Sequence, residues 1–196
     1  MFPLVVCEAG EKAYEKYKMD LTYKSALTQA MEKFAQDDRA RFVGYGLLDG
    51  KGANGTLKSI PNSKIVETTV AENLLMGMAQ GMAMAGLLPL VYIERGDFIF
   101  CCMSALVSHL DKCREISRGE FSPCVIIRIH VGKRLKPLFT GPTHTTEPTE
   151  MLKAALKMPV YRVTTPDEVQ AAYGRAIWEQ KEGISSSVIV EFGDLI

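Results

Sequence analysis

The sequence predicts an α/β domain with a mainly parallel central sheet flanked by helices. Two observations carry that prediction. Apolar runs of strand length alternate along the chain with segments of helical period, the order that builds parallel sheets through helical crossovers. The length of 196 residues suits one domain with a sizeable core and would cramp two. Residues 1–20, charged and rich in Tyr and Lys, read as an N-terminal extension, and residues 21–196 as the domain.

Each element has a local reason. Asp20 followed by Leu21–Ala35 reads as a capped amphipathic helix, with Leu27, Ala30, Met31 and Phe34 at helical spacing. Arg41–Leu48 reads as a buried strand, Asp49–Asn62 as a glycine-rich loop, and Ile65–Thr69 as a short extended segment. A helix of small residues follows over Ala71–Ala85, then a strand at Leu88–Ile93 and a long helix over Asp97–Ser117. Cys124–His130 is an apolar strand, and Gly132–Glu147 is a loop rich in Gly, Pro and Thr. The chain closes with a helix at Glu147–Leu156, a strand at Val160–Val163, a helix at Pro166–Gln180 and a strand at Ser187–Phe192.

Charge and cysteine content exclude several classes. Lys+Arg and Asp+Glu both total 23, so there is no electrostatic case for a nucleic-acid partner. The opening Met-Phe-Pro-Leu-Val-Val-Cys is too short an apolar run for a signal peptide, and no segment has the length to span a bilayer. Five cysteines form no Cys-x-x-Cys pair, and an odd number suits a reducing cytoplasm better than a disulfide framework. Cys101 and Cys102 lie in an apolar stretch, where free cysteine behaves as a small hydrophobe. His109, Asp111 and Cys113 are spread around a helix by their spacing, so no metal site is predicted from this chain alone.

The most informative residue is Glu72, in Val-Glu-Thr-Thr-Val-Ala-Glu-Asn at 66–73. It opens a run, Leu74–Gly86, that is almost free of charge and rich in Gly, Ala and Met. Such a carboxylate either serves the free amides and dipole of the first turn or is a buried acid with a chemical task. Gly77, Gly81 and Gly86 each cost about 1 kcal/mol relative to Ala in a helix interior, so they point to close approach by another backbone. A helix–helix or subunit interface is the expectation, with simple core packing as the plainer one.

Gly50-Lys-Gly52-Ala-Asn-Gly55 matches a dinucleotide-binding spacing, but Pro61 and the lack of a following helix favour a flexible surface loop. Gly141-Pro-Thr-His144 places a histidine in a turn just before a helix, and loops after parallel strands are where ligands bind.

From about Leu21 onward the chain resembles the pyrimidine-binding domain of thiamine-diphosphate enzymes of the transketolase and 2-oxo-acid dehydrogenase group. Ile-Val-Glu-Thr-Thr-Val-Ala-Glu-Asn is similar to the segment ending in the family glutamate, and Glu72 takes that position. Gly77–Pro89 resembles the family's Gly/Ala helix and turn. Ile93-Glu-Arg-Gly-Asp-Phe-Ile-Phe100 is similar to the pyruvate dehydrogenase beta subunit, and Gly141-Pro-Thr-His144 to a transketolase loop whose histidine faces substrate.

The resemblance implies the thiamine-diphosphate-binding fold of pyrimidine-binding type, with Glu72 and His144 catalytic and Val70, Glu72, Glu94 and Phe98 against the cofactor. It implies that Glu72 shares a proton with a ring nitrogen of the aminopyrimidine, a task suited to a carboxyl whose pKa burial raises. Three departures accompany it. No Gly-Asp-Gly with a downstream Asn is present, so magnesium and the diphosphate would be bound mainly by a separate subunit. The sequence ends where relatives continue into a third domain. Glu94 and Arg95 stand where apolar or aromatic residues line the family pocket. The implied protein is the pyrimidine-binding subunit of a split enzyme, a homodimer or heterotetramer acting on a 2-oxo acid or ketose. A non-catalytic scaffolding subunit that kept the fold is the alternative.

Overall fold

Mostly apolar runs form the middle of the sheet. In the computed structural model, which describes residues 21–48, 52–135 and 141–196, three strands are buried along their whole length. The expected extension at 1–20 lies outside the described residues. In chain order the elements are α1 (Tyr23–Ala35), β1 (Ala40–Gly44), β2 (Ile65–Glu67), α2 (Glu72–Met84), β3 (Leu88–Ile93), α3 (Cys113–Ile116), β4 (Ile126–Val131), α4 (Thr149–Ala155), β5 (Val160–Arg162), α5 (Pro166–Lys181) and β6 (Ser187–Phe192). The six strands run in the order β2-β1-β3-β4-β6-β5, and every neighbouring pair is parallel. The expected mainly parallel sheet is therefore wholly parallel. Strands covered on both faces lose the alternation of half-exposed ones and read as continuous apolar segments.

Helices cover both faces. On one side α1 and α5 bring Leu27, Met31, Phe34 and Ile177 against Phe42, Leu90, Ile126 and Ile189. Phe34 and Phe42 meet edge to face, their ring centroids 5.2 Å apart. On the other side α2, α4 and the stretch from 96 to 112 bury Leu75, Met76, Leu106 and Leu152 against Val91, Ile127 and Val190.

Caps fix the helix starts. The Thr22 hydroxyl accepts from the Ser25 amide at 3.1 Å and caps α1, while the cap expected at Asp20 lies outside the described residues. Thr165 and Glu168 form a reciprocal capping box at the start of α5, with Pro166 in its first turn.

Two expectations fail. The predicted long helix over 97–117 is instead a 3-10 stretch at Gly96–Cys102, a π turn at Ser104–His109, a 3-10 turn at Leu110–Lys112 and the short α3. Ile99, Cys102 and Ala105 are buried at intervals of three, the 3-10 period, and the wider π turn then keeps Leu106 and Leu110 on the same side. Cys102 is in the core, whereas its neighbour Cys101 faces out.

The predicted surface loop also fails over the described residues 52–60. Ala53, Thr56, Leu57 and Ile60 are buried in the core beneath α1 and α5. Ala53 and Asn54 take left-handed backbone conformations, with φ of 52° and 56°. Arg128 draws this segment inward: its Nη1 donates to Thr56 Oγ1 at 2.9 Å, and Thr56 Oγ1 donates to the Ala53 carbonyl at 2.7 Å.

Candidate active site

A cleft of about 290 Å³ opens at the carboxyl ends of β1 and β3. The strand order reverses there, β1 leading outward to β2 and β3 leading to the rest of the sheet, and such switch points leave a crevice between diverging loops. Its walls are Tyr45, Val70, Glu72, Leu75, Tyr92 and Phe98, with Glu94, Arg95 and His144 completing the lining. The site residues expected from sequence, Val70, Glu72, Glu94, Phe98 and His144, all border this one space.

Glu72 is the first residue of α2, after Ala71, which makes no side-chain cap. Its side chain is half-buried. Its carboxylate has no hydrogen bond or ion pair with any described residue. The carboxylate makes no hydrogen bond to the first-turn amides, and the acid lines the cleft in the positive field of the helix start.

Phe98 and His144 meet edge to face, with centroids 5.3 Å apart. The segment carrying His144 is held by residues that sequence reasoning did not single out for this task. Asp97 accepts from the Thr146 amide at 3.1 Å and from the Thr146 hydroxyl. A Cβ at Gly96 would lie 2.2 Å from the Thr146 carbonyl oxygen, and one at Gly132 would lie 2.2 Å from that of His144. Only glycine permits both approaches. The Thr143 hydroxyl oxygen lies 3.0 Å from His144 Nδ1.

On the opposite rim the Glu67 carboxylate accepts from three successive amides, those of Gly46, Leu47 and Leu48. This fixes the turn after β1 that carries Tyr45. Glu94 and Arg95 pair with each other, Nη1 of Arg95 lying 3.3 Å from Glu94 Oε1.

Tyr92 joins the cleft to a buried polar ladder. The Arg128 guanidinium sits 5.3 Å from the Tyr92 ring centroid and is held by Glu191, which also accepts from the Tyr173 hydroxyl. Burial, then the Glu191 charge, raises the Tyr173 hydroxyl well above the ordinary tyrosine range, so it stays protonated. His130, on the same strand as Arg128, has its ring within 3.3 Å of the Asn54 amide. The polar spacing Arg-x-His in an apolar strand was the visible signal for this ladder.

The family described as the transketolase pyrimidine binding domain matches residues 19–190. The chain belongs to that family. The cleft of this pyrimidine-binding domain is accordingly the place to look for its chemistry.

The chain is 32% identical over 155 residues to a pyruvate dehydrogenase E1 component subunit beta from Acholeplasma laidlawii, covering 76% of this chain and 44% of that protein. It is 28% identical over 136 residues to a 2-oxoisovalerate dehydrogenase subunit beta from Pseudomonas aeruginosa, covering 67% of this chain and 38% of that protein. It therefore spans less than half the length of these relatives. A split-gene transketolase solved as an inactive beta4 tetramer shares the fold, with a TM-score of 0.57 at 16% identity, over 86% of this chain and 50% of that one.

Gly77 and Gly81 on α2 do not serve packing against the described residues. A Cβ at Gly77 or Gly81 would meet nothing within 4 Å, and Leu74 and Met84 on the same helix are about half exposed. This side of α2 is uncovered by the described residues. No helix among them is long and apolar enough to cross a membrane.

Proposed function

We propose that this chain is the pyrimidine-binding subunit of a split thiamine-diphosphate-dependent enzyme, transketolase-like or 2-oxo-acid-processing, completed by a separate diphosphate-binding subunit. One observation carries the reading: a half-buried carboxylate, Glu72, opens into an aromatic-walled cleft with no protein partner among the described residues. A half-buried acid that faces a cleft without a protein partner is free to pair with a ligand, and one bearing a protonatable nitrogen supplies that partner.

The residues fit the pyrimidine half of the cofactor. Val70, Leu75 and Phe98 offer apolar surface for a flat ring, with Glu94 at its edge. Bound there, the cofactor supplies the electron sink for cleavage or ligation of a bond to a carbonyl carbon. Glu72 holds and returns the proton at the ring nitrogen. Phe98 orients the ring and His144, placed by Asp97, Gly96 and Gly132, faces the reacting carbonyl. Magnesium and the diphosphate fall to the partner.

The uncovered stripe of Leu74, Gly77, Gly81 and Met84 supports association with further subunits, as a homodimer or within a two-fold heterotetramer. The neighbouring split-gene transketolase assembles as a beta4 tetramer. The free cysteines suit a cytoplasmic setting. The test is Glu72→Gln in the complex reconstituted with the diphosphate-binding partner, thiamine diphosphate and Mg²⁺. Turnover is expected to fall at least about 100-fold, since removal of a positioned acid–base group costs about 10²–10⁴-fold. Near wild-type turnover overturns the reading and leaves the scaffolding role.

A further inference from the structure

We infer that Arg95 is a specificity residue that receives an anionic oxygen group of the substrate, a carboxylate or a phosphate, in exchange for its resident counter-ion Glu94. The inference rests on the functional reading above and deepens it by naming the substrate's charge.

The guanidinium is held at one corner only. Arg95 Nη1 donates to the Glu94 carbonyl oxygen at 2.6 Å and lies 3.3 Å from Glu94 Oε1. Its Nε and Nη2 donors have no partner among the described residues. Arg95 lines the same cleft as Glu72 and His144. A planar fork with two free donors in a partly dry cleft matches the paired oxygens of a carboxylate or phosphate.

Glu94 is poorly placed to satisfy that fork. It is the adjacent residue, and its carboxylate reaches one nitrogen from the side. The Glu94 side chain is 39% exposed and that of Arg95 is 18% exposed. An incoming anion therefore displaces Glu94 into water while Arg95 stays at the cleft wall. A single-ended pair whose carboxylate is open to water is weak, so the exchange meets little resistance.

Opposite effects of the two substitutions form the test. The isotope-labelled full chain, without cofactor or partner, is titrated with pyruvate, with inorganic phosphate and with neutral dihydroxyacetone. The Arg95 Nε–Hε and His144 ring resonances are followed by NMR. Pyruvate or phosphate is expected to shift both signals, the tighter of the two naming the source of the anion, and dihydroxyacetone is expected to leave Arg95 unmoved. Arg95→Met should weaken binding at least about tenfold, Arg95→Lys should retain part of it, and Glu94→Gln should tighten it several-fold. A purely structural role for the pair predicts loss in both directions. No Arg95 shift with either anion, equal binding by Arg95→Met, or weakening by Glu94→Gln overturns the inference. These readouts do not involve Glu72, so they fail independently of the turnover test of the functional reading.

Discussion

Arg128 Nη2 lies 2.8 Å from the Glu191 carboxylate, and neither side chain is more than 1% exposed. The pair bridges β4 and β6 at the Arg128–Ile189 register, with Arg128 Nε also donating to both Glu191 oxygens at 2.9 Å. Removing one partner strands a buried charge, which costs about 3–5 kcal/mol. Arg128→Met should therefore lose about that much stability, measured by urea unfolding of the full chain. Pairing Arg128→Met with Glu191→Leu should recover part of the loss. A single substitution within about 0.5 kcal/mol of wild type would show that the pair is not what holds β4 to β6.

His130 gives the fold a pH dependence of definite sign. Burial first, then the charges of Arg95, Arg128 and Lys133, push its imidazole down to about 3. An unfolded-chain histidine titrates near 6.5, about its unperturbed value. Above that pH the ring is neutral in both states, and its contribution is fully present. As pH falls from there toward the folded value, the unfolded chain gains a proton that the fold refuses. Stability should then drop with a slope approaching about 1.4 kcal/mol per pH unit from this residue. Urea midpoints between pH 7 and pH 5, above most carboxylate titrations, are the measurement. His130→Gln should flatten the profile in that window, and an unchanged slope would remove His130 as its source.

Gly132 and Gly77 are opposite cases of the same residue. A Cβ at Gly132 would collide with the His144 carbonyl, 2.2 Å away. Gly132→Ala should displace the 141–147 segment and cost about 1–3 kcal/mol, as overpacking does. The ring-current shift that His144 receives from Phe98 should change with it, read by NMR. Retention of that shift would mean the segment tolerates the methyl group.

At Gly77 a Cβ meets nothing within 4 Å. Gly77→Ala should stabilise the isolated chain by up to about 1 kcal/mol, the helix-propensity difference. If α2 packs closely against another subunit, the same change should weaken assembly, measured by sedimentation. Unaltered association would place the interface elsewhere.

Glu147, like His130, contributes stability that is lost in acid. Burial raises its carboxyl, but hydrogen bonds from Arg162 and Arg134, each at 2.6 Å, outweigh this and hold it below the usual carboxylate range. Its contribution is present above the ordinary glutamate pKa and lost as pH falls through the lowered value. Glu147→Gln should lower the thermal midpoint at pH 7 and lower it by less near pH 3, below the ordinary glutamate range. Equal losses at both pH values would assign the effect to packing alone.

The sequence by itself determined the layer architecture. Leu88–Ile93 and Ser187–Phe192 are strands at the expected bounds because doubly covered parallel strands are predominantly apolar. The start of α5 was equally legible, since Pro166 and Glu168 are local signals. So was the placing of Val70, Glu72, Glu94, Phe98 and His144 around one space, carried by a resemblance spread over several segments, whereas Tyr45, Leu75 and Tyr92 were not. Tertiary structure alone decided the rest. Ala53, Thr56, Leu57 and Ile60 lie in a segment with the composition of a loop yet are core, where Thr56, 72 positions from Arg128 in sequence, partners its guanidinium. The 96–112 stretch abandons the α period, which keeps Ile99, Cys102, Leu106 and Leu110 on one sheet face. Whether Glu72 would find a protein partner was likewise invisible. A carboxylate's freedom is set by what the fold leaves opposite it, and no local pattern records that.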